Sequence, residues 1–254
     1  VVALAVLALL LTWILINRRS IPLRPKRRNW SGLPKTGWFL VAALVVVSIW
    51  WLVAATRAPT NYDSGLYHIQ AIWYAADFKT IPGLVNLYAS LGFGNSLMPL
   101  TAITTNGPMG LEAYRVINGF FFLLLFVEVL LRLSSSRRNS VGTKILLIGL
   151  GVFVAPMIWM SGYWVTSPTF DTPVAILTLV SVAALADAVT SGRMRSVDVI
   201  VALIPMAVAA SMRQHYWFLF AFFALIILWV LSRRKAQGVA TAFWLSASAS
   251  TVLL

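Results

Sequence analysis

The stretch "WFLVAALVVVSIWWLVAA", residues 38 to 55, contains no Asp, Glu, Lys or Arg, and a continuous apolar run of about 20 residues is the length that crosses a bilayer as one helix. Comparable runs recur near 1–17, 113–131, 145–160, 172–190, 197–212, 216–231 and 238–254. With 60% hydrophobic and only 11% charged residues, and a mean hydropathy of +0.85, so much apolar surface exceeds what an ordinary water-soluble core can bury. The expectation is an all-α polytopic transmembrane bundle of about eight spans, forming a single transmembrane domain over 1–254.

The chain starts on Val and ends inside the run "STVLL", so it reads as a fragment truncated at both ends. Its leading "VVALAVLALLLTWILIN" is long for the apolar part of a signal peptide and runs into "RR" without a small-residue cleavage site, which favours a spanning helix. Cysteine is absent, which excludes a disulfide frame and a thiolate metal site.

Connecting the runs alternately puts the linkers "RRSIPLRPKRRNWSGLPK", "RLSSSRRNSVGTK", "SGRMR" and "SRRK" on one side, and these hold 16 of the 20 Lys and Arg. Basic linkers stay in the cytoplasm. The opposite side keeps Arg57, Lys79, Arg115 and Arg213, and the net charge of +13 follows from topology and contact with anionic lipid. Nucleic acid is not an expected partner, because the basic segments are short and carry no interleaved aromatics on a folded surface.

Only seven acids occur. Glu128 and Arg132 are four apart and read as a helical ion pair, while Asp187 and Asp198 lie at cytoplasmic helix ends. Asp63, Asp77, Glu112 and Asp171 fall on the outer side. There, residues 57–112 make the one long extracytoplasmic segment, too long to be plain loop. Leu66, Ile69, Ile72, Trp73 and Ala76 recur at three and four and predict an interfacial amphipathic helix, with Tyr67, Trp73 and Tyr74 at headgroup depth. Pro82 and Gly83 break it, and the glycine-rich stretch after it predicts a second interfacial piece, the whole placed as a lid.

Three outer features carry chemistry. Asp63 in "TNYDSGLYHIQ" is either an N-cap of the helix that follows or a carboxylate open to solvent that accepts a proton or holds a divalent cation. Asp171 in "SPTFDTP", with Thr169 as a nearby capping candidate, has the same two readings. Arg213 in "SMRQHYWF" pairs with a lipid phosphate or serves as a bidentate phosphate ligand. His68 and His215 are too few and too far apart in sequence to argue a metal site, and each reads as a surface or capping residue.

An Asp at the exit of an early span, interfacial helices behind it, "SPTFDTP" opening a later span and a basic residue at a still later outer junction together resemble the GT-C superfamily of polytopic glycosyltransferases. "YDSGLYHIQAIWY" and "PGLVNLYASLGF" look most similar to a bacterial membrane-protein branch of that plan, over roughly residues 38–220. The resemblance implies transfer of a sugar from a polyprenyl-phosphate carrier to a hydroxyl on a glycan, lipid or protein, at the outer face of the bacterial plasma membrane. In that role Asp63 is the general base and Asp171 the second acid. Arg213, Tyr67, His68, Lys79, Gln214 and His215 form the candidate substrate-binding set. Some branches have a second acid beside the first; Ser64 stands there instead, which weakens direct metal binding at Asp63 and leaves a divalent cation as an open cofactor that the sequence does not require. The alternative from another class is a transporter or flippase of a lipid-linked or small solute, and a third is a non-catalytic assembly subunit.

Overall fold

The computed structural model describes residues 35–78, 82–92, 95–135, 137–190 and 196–234. Among these every regular element is helical and no strand occurs. In chain order they are α1 (Lys35–Ala55), a π-helical turn (Ser64–His68) running into α2 (Ile69–Asp77), α3 (Leu84–Leu87), a 3-10 turn (Ala89–Gly92), α4 (Leu97–Thr104), a 3-10 turn (Gly110–Ala113) leading into α5 (Tyr114–Leu133), α6 (Val141–Trp159), α7 (Ser161–Trp164), α8 (Asp171–Thr190), α9 (Ser196–Met212) and α10 (Tyr216–Arg234).

The apolar runs at 38–56, 113–131, 145–160, 172–190, 197–212 and 216–231 all fall on helices, but the count of about eight spans is not what these helices support. Three, Gly110–Leu133, Val141–Trp159 and Asp171–Thr190, are long and apolar enough to cross a membrane; Val41–Ala55, Asp198–Met212 and Tyr216–Val230 are shorter apolar stretches. α9 has 17 residues, at the lower limit of the about 17–25 that cross a bilayer. The first and last expected spans, near 1–17 and 238–254, lie outside the described residues.

α8 is the axis of the bundle, packed most extensively on α9 and then on α6. Small side chains permit this. Ala183, Ala184 and Ala188 on α8 and Ala202, Ala209 and Ala210 on α9 are all buried, and small residues let helix backbones approach closely where lipid offers no hydrophobic drive to association. α6 meets α8 through Gly142 and Gly149, seven apart and so on one face. A Cβ on Gly142 would stand 2.3 Å from the Ala183 carbonyl, and one on Gly149 2.2 Å from Leu179. The outward faces stay apolar, with Phe39, Ile148, Val152, Trp159 and Phe218 exposed, the surface that contact with acyl chains requires.

At the end where α5 turns into α6, Arg132 is almost fully buried and joins three helices. Its Nε donates to Glu128 Oε1 at 2.6 Å and its Nη1 to Asp187 Oδ2 at 2.5 Å, while Asp187 Oδ1 accepts the Gly142 amide at 2.7 Å. Arg137 pairs with Asp198 at 3.1 Å. The expected Glu128–Arg132 pair is therefore present, and Asp187 completes it. Removing one member of such a buried set leaves an uncompensated charge.

At the opposite end the segment 57–112 packs over the bundle. The Thr60 amide donates to the Gly162 carbonyl at 2.9 Å and the Asn61 amide to Ser167 Oγ at 3.1 Å; Ser96 meets Ser211 through both backbone (3.2 Å) and hydroxyl (2.7 Å). Between these ties lies a small second core of Ile72, Met98, Ala102 and Tyr114, with Ile69, Ala71 and Phe170 against it. The glycine-rich stretch expected to lie at the interface thus contributes α4, whose Leu97, Met98, Thr101 and Ala102 are buried.

Candidate functional site

The site is built where the segment 57–112 meets the loop before α8. That loop is held from below by Asn118 on α5, fully buried, whose Nδ2 donates to the Ser167 carbonyl at 2.8 Å and the Thr169 carbonyl at 2.9 Å. The second bond has a local cause. Four residues after Thr169 stands Pro173, which has no amide hydrogen, so α8 cannot satisfy that carbonyl from within. Asn118 does so, and fixes Phe170 and Asp171 at the top of α8.

Asp171 does not serve as a cap with Thr169. It forms an ion pair with Arg213 Nη1, at the turn between α9 and α10, and Thr169 Oγ1 is buried without a hydrogen-bond partner among the described residues. Arg213 is half-exposed, and its Nε donates to His215 Nε2 at 2.9 Å. The guanidinium also lies 5.2 Å from the Phe170 ring centre. Gln214 is exposed beside it.

Asp63 departs from the capping reading. Its backbone is already helical (φ −63°, ψ −25°) and its side chain makes no cap bond. The capping role falls to Asn61, whose Oδ1 accepts the Asp63 amide at 2.9 Å. The Asp63 carboxylate is left exposed to solvent. The helix after it also differs from the amphipathic pattern. Ser64, His68 and Ile72, spaced by four, are the buried positions, whereas Leu66 and Trp73 are exposed. A π-helical turn adds a residue to one turn and rotates the faces that follow, and apolar periodicity alone does not reveal it.

His68, expected at the surface, is 2% exposed. It stands in a row of rings: Tyr88 to Tyr67 at 5.8 Å, Tyr67 to His68 at 4.3 Å, His68 to Phe170 at 5.7 Å between centroids. This row connects Asp63's helix to the Asp171–Arg213 pair. Burial pushes the His68 imidazole down to about 4, against the pull of Asp63 in the other direction, so it is neutral near pH 7. Burial also pushes the Tyr67 phenol up to about 12, with Asp63, Tyr88 and Asp171 adding to the rise and Arg213 opposing it. One phenol thus feels both carboxylates and the guanidinium, and it remains a neutral hydroxyl.

Of the remaining charges at this end, Arg57 and Arg115 have partners. Arg57 donates to Ser161 Oγ at 2.9 Å, Arg115 pairs with Glu112 and Asp77 ends α2 exposed to solvent. Lys79, a candidate substrate ligand, lies outside the described residues. Among the described residues no three His, Asp or Glu side chains cluster as a metal site would require. Sequence reasoning missed Asn118, Phe170 and Tyr88. Asn118 had a usable signal, a lone amide inside the apolar run "VINGFFFLLLF", since polar side chains within a span are costly and usually have a task.

No curated protein and no solved structure matches this chain. One family model does, over residues 1–254. The chain therefore belongs to the family described as a domain of unknown function, DUF8201.

Proposed function

We propose that this protein is a membrane glycosyltransferase of the GT-C type, moving a sugar from a polyprenyl-phosphate carrier to an acceptor hydroxyl at the outer face of a bacterial plasma membrane. One observation carries the reading: the ring row Tyr88–Tyr67–His68–Phe170 joins the Asp63 helix to the Asp171–Arg213 pair. Two carboxylates and a guanidinium from distant parts of the chain thereby border one aromatic patch. A carrier-linked sugar has an apolar tail, an anionic phosphate and a hydroxylated ring, and its enzyme needs outward apolar helix faces, a cation and an acid arranged in that order.

In the reaction the acceptor oxygen forms a bond to the anomeric carbon as the bond from that carbon to the phosphate oxygen breaks. The electron pair leaves with the phosphate. The exposed Asp63 carboxylate takes the hydroxyl proton, and Arg213 balances the charge on the departing phosphate. Asp171 holds the guanidinium by its Nη1 and so orients it. His215 takes the Nε hydrogen, which leaves the remaining guanidinium hydrogens for phosphate oxygens.

The test is Asp63→Asn in full-length protein, assayed for transfer from a polyprenyl-phosphate donor in membranes. Loss of transfer by a factor of about 100 or more, with normal membrane insertion, is expected of a general base. Transfer retained in that variant removes the base role. Movement of labelled solute across sealed vesicles, without a new glycosidic bond, would favour a transporter instead.

A further inference from the structure

Residues 80–111 contain no Asp, Glu, Lys, Arg or His, where a water-facing segment of that length carries about eight charged residues at the usual share of composition. The nearest charges are Asp77 and Lys79 before the stretch and Glu112 and Arg115 after it. α4 lies inside it and is two-faced. Leu97, Met98, Thr101 and Ala102 are buried, whereas Ile103 is 64% exposed and Leu100, three residues earlier on the same face, is 40% exposed. Met109 and Leu111, which follow α4, are exposed as well. The Trp73 indole N–H donates to the Leu111 carbonyl at 3.4 Å, which sets a partly exposed Trp beside them.

The height of this face follows from the packing. α4 packs on α2 and on the 3-10 turn Gly110–Ala113, and that turn opens the apolar helix Gly110–Leu133. The 24 residues of that helix rise about 36 Å at about 1.5 Å each, a little more than the about 30 Å of hydrocarbon in a bilayer. If the helix crosses, its first turn therefore stands at headgroup depth, and the exposed face of α4 stands there with it. Farther along α5 the exposed side chains Phe120 and Leu124 are apolar too.

The backbone at the end of α4 points to what covers the face. A helix leaves its last four carbonyls without partners from within, and water or a capping group takes them. Here the segment closes all four itself. The Thr101 carbonyl accepts from Thr104 Oγ1 at 2.6 Å, the Ala102 carbonyl from Thr105 Oγ1 at 2.7 Å, the Ile103 carbonyl from Asn106 Nδ2 at 3.5 Å and the Thr104 carbonyl from the Gly107 amide at 3.0 Å. Open carbonyls are tolerated in water and costly in lipid. A protein partner would form about one hydrogen bond per 100–200 Å² of contact, and these carbonyls are already taken. An uncharged face with a closed backbone fits acyl chains.

We infer that the exposed face of α4, with the residues that follow it, lies in the lipid leaflet at this end of the bundle. Leu100, Ile103, Met109 and Leu111 reach the acyl chains, and Trp73 stands among the headgroups, where its amphipathic ring is favoured. The apolar period after Asp63 had pointed to that helix as the lipid-facing one, but Ile72 is buried there and Ile69 packs on the second core, so lipid contact passes to α4. Because α4 packs on α2, its depth sets the height of the Asp63 helix. The inference is independent of the reaction proposed above.

The experiment uses full-length protein in nanodiscs of phosphatidylcholine and phosphatidylglycerol. These 254 residues hold no cysteine, so with any cysteine elsewhere changed to serine, single cysteines at Ile103, Leu111, Asp77 and Gln214 can each carry a bimane label. Lipid brominated on the acyl chains near the headgroup is expected to quench bimane at Ile103 and Leu111 by about half or more and at Asp77 and Gln214 by about a tenth or less, since such a face reaches about 5–10 Å into the boundary and bromine acts at contact range. Aqueous iodide should give the reverse order. Leu100 replaces either position where the label lowers the thermal midpoint. Strong iodide quenching at Ile103 and Leu111 would show a water-facing surface and overturn the inference. Shielding from both quenchers there would show a protein cover, from a second copy or the rest of the chain, and overturn it equally. Either result leaves the transfer reaction to be judged by Asp63→Asn.

Discussion

Asn118 is the residue whose replacement tests how the site is held. Its amide reaches two carbonyls of the loop before α8, at 2.8 and 2.9 Å. The Ser167 carbonyl also accepts the Thr169 amide at 2.8 Å, so losing Asn118 costs it one of two partners, about 1 kcal/mol. The Thr169 carbonyl has Pro173 at the position where a helix would provide its donor. Losing Asn118 leaves it buried and unpaired, at about 1–3 kcal/mol. Asn118 Oδ1 is itself buried without a partner among the described residues, so its removal returns about 1 kcal/mol. Asn118→Leu, which has as many side-chain heavy atoms though a larger volume, should therefore destabilise by at least about 2 kcal/mol, or about 4–8 °C in thermal midpoint for a chain of this size. Asn118→Asp, the same shape with no donor, turns a carboxylate towards two carbonyls and should be the worse of the two. The assay is thermal unfolding of purified protein in one detergent, followed by tryptophan fluorescence. Midpoints within about 1 °C of wild type for both variants, a quarter or less of the expected shift, would refute the account of the loop. So would a higher midpoint for Asn118→Asp than for Asn118→Leu.

Gly142→Ala should destabilise by about 3 kcal/mol, since its Cβ would lie 2.3 Å from the Ala183 carbonyl and 2.6 Å from Asp187 Cγ and overpacking of this kind costs about 1–3 kcal/mol before the Asp187 bond is counted; Gly151→Ala, with nothing within 4 Å, should instead stabilise its helix by about 0.5–1 kcal/mol, and parallel melting curves check the contrast. His68 gives a pH signature. Its folded value of about 4 lies below the ordinary 6.5, so the unfolded chain takes up the proton first and the His68 contribution is complete above pH 6.5 and lost as pH falls towards 4, by about 3 kcal/mol. Melting curves between pH 7 and pH 4 should show His68→Phe losing less stability than wild type; equal losses would mean the imidazole is not held neutral. Asp187→Asn leaves Glu128 as the one carboxylate, among the described residues, on the buried Arg132 guanidinium and should cost about 1–3 kcal/mol, read as a lowered midpoint.

The helical class and the position of each described long helix were legible in the sequence, because apolar length is a property of the chain itself: a run such as 38–55 becomes helix wherever its backbone must bond internally. The Glu128–Arg132 pair was legible for the same reason, since spacing of four on one helix fixes proximity. What depended on packing was not. Whether Asp171 caps its own helix or meets Arg213, 42 residues away, is decided by how α8 and α9 lie together. Asn118 has its role only because Pro173 leaves a carbonyl open on another element. The phase of the helix after Asp63 depends on a π turn, which periodicity cannot register, and that turn accompanies His68 in the interior. Sequence by itself determined the long helices; the tertiary structure alone decided which distant polar groups share a surface, because helix contacts are set by small residues such as Gly142 and Gly149 meeting specific neighbours, and no local pattern encodes the partner.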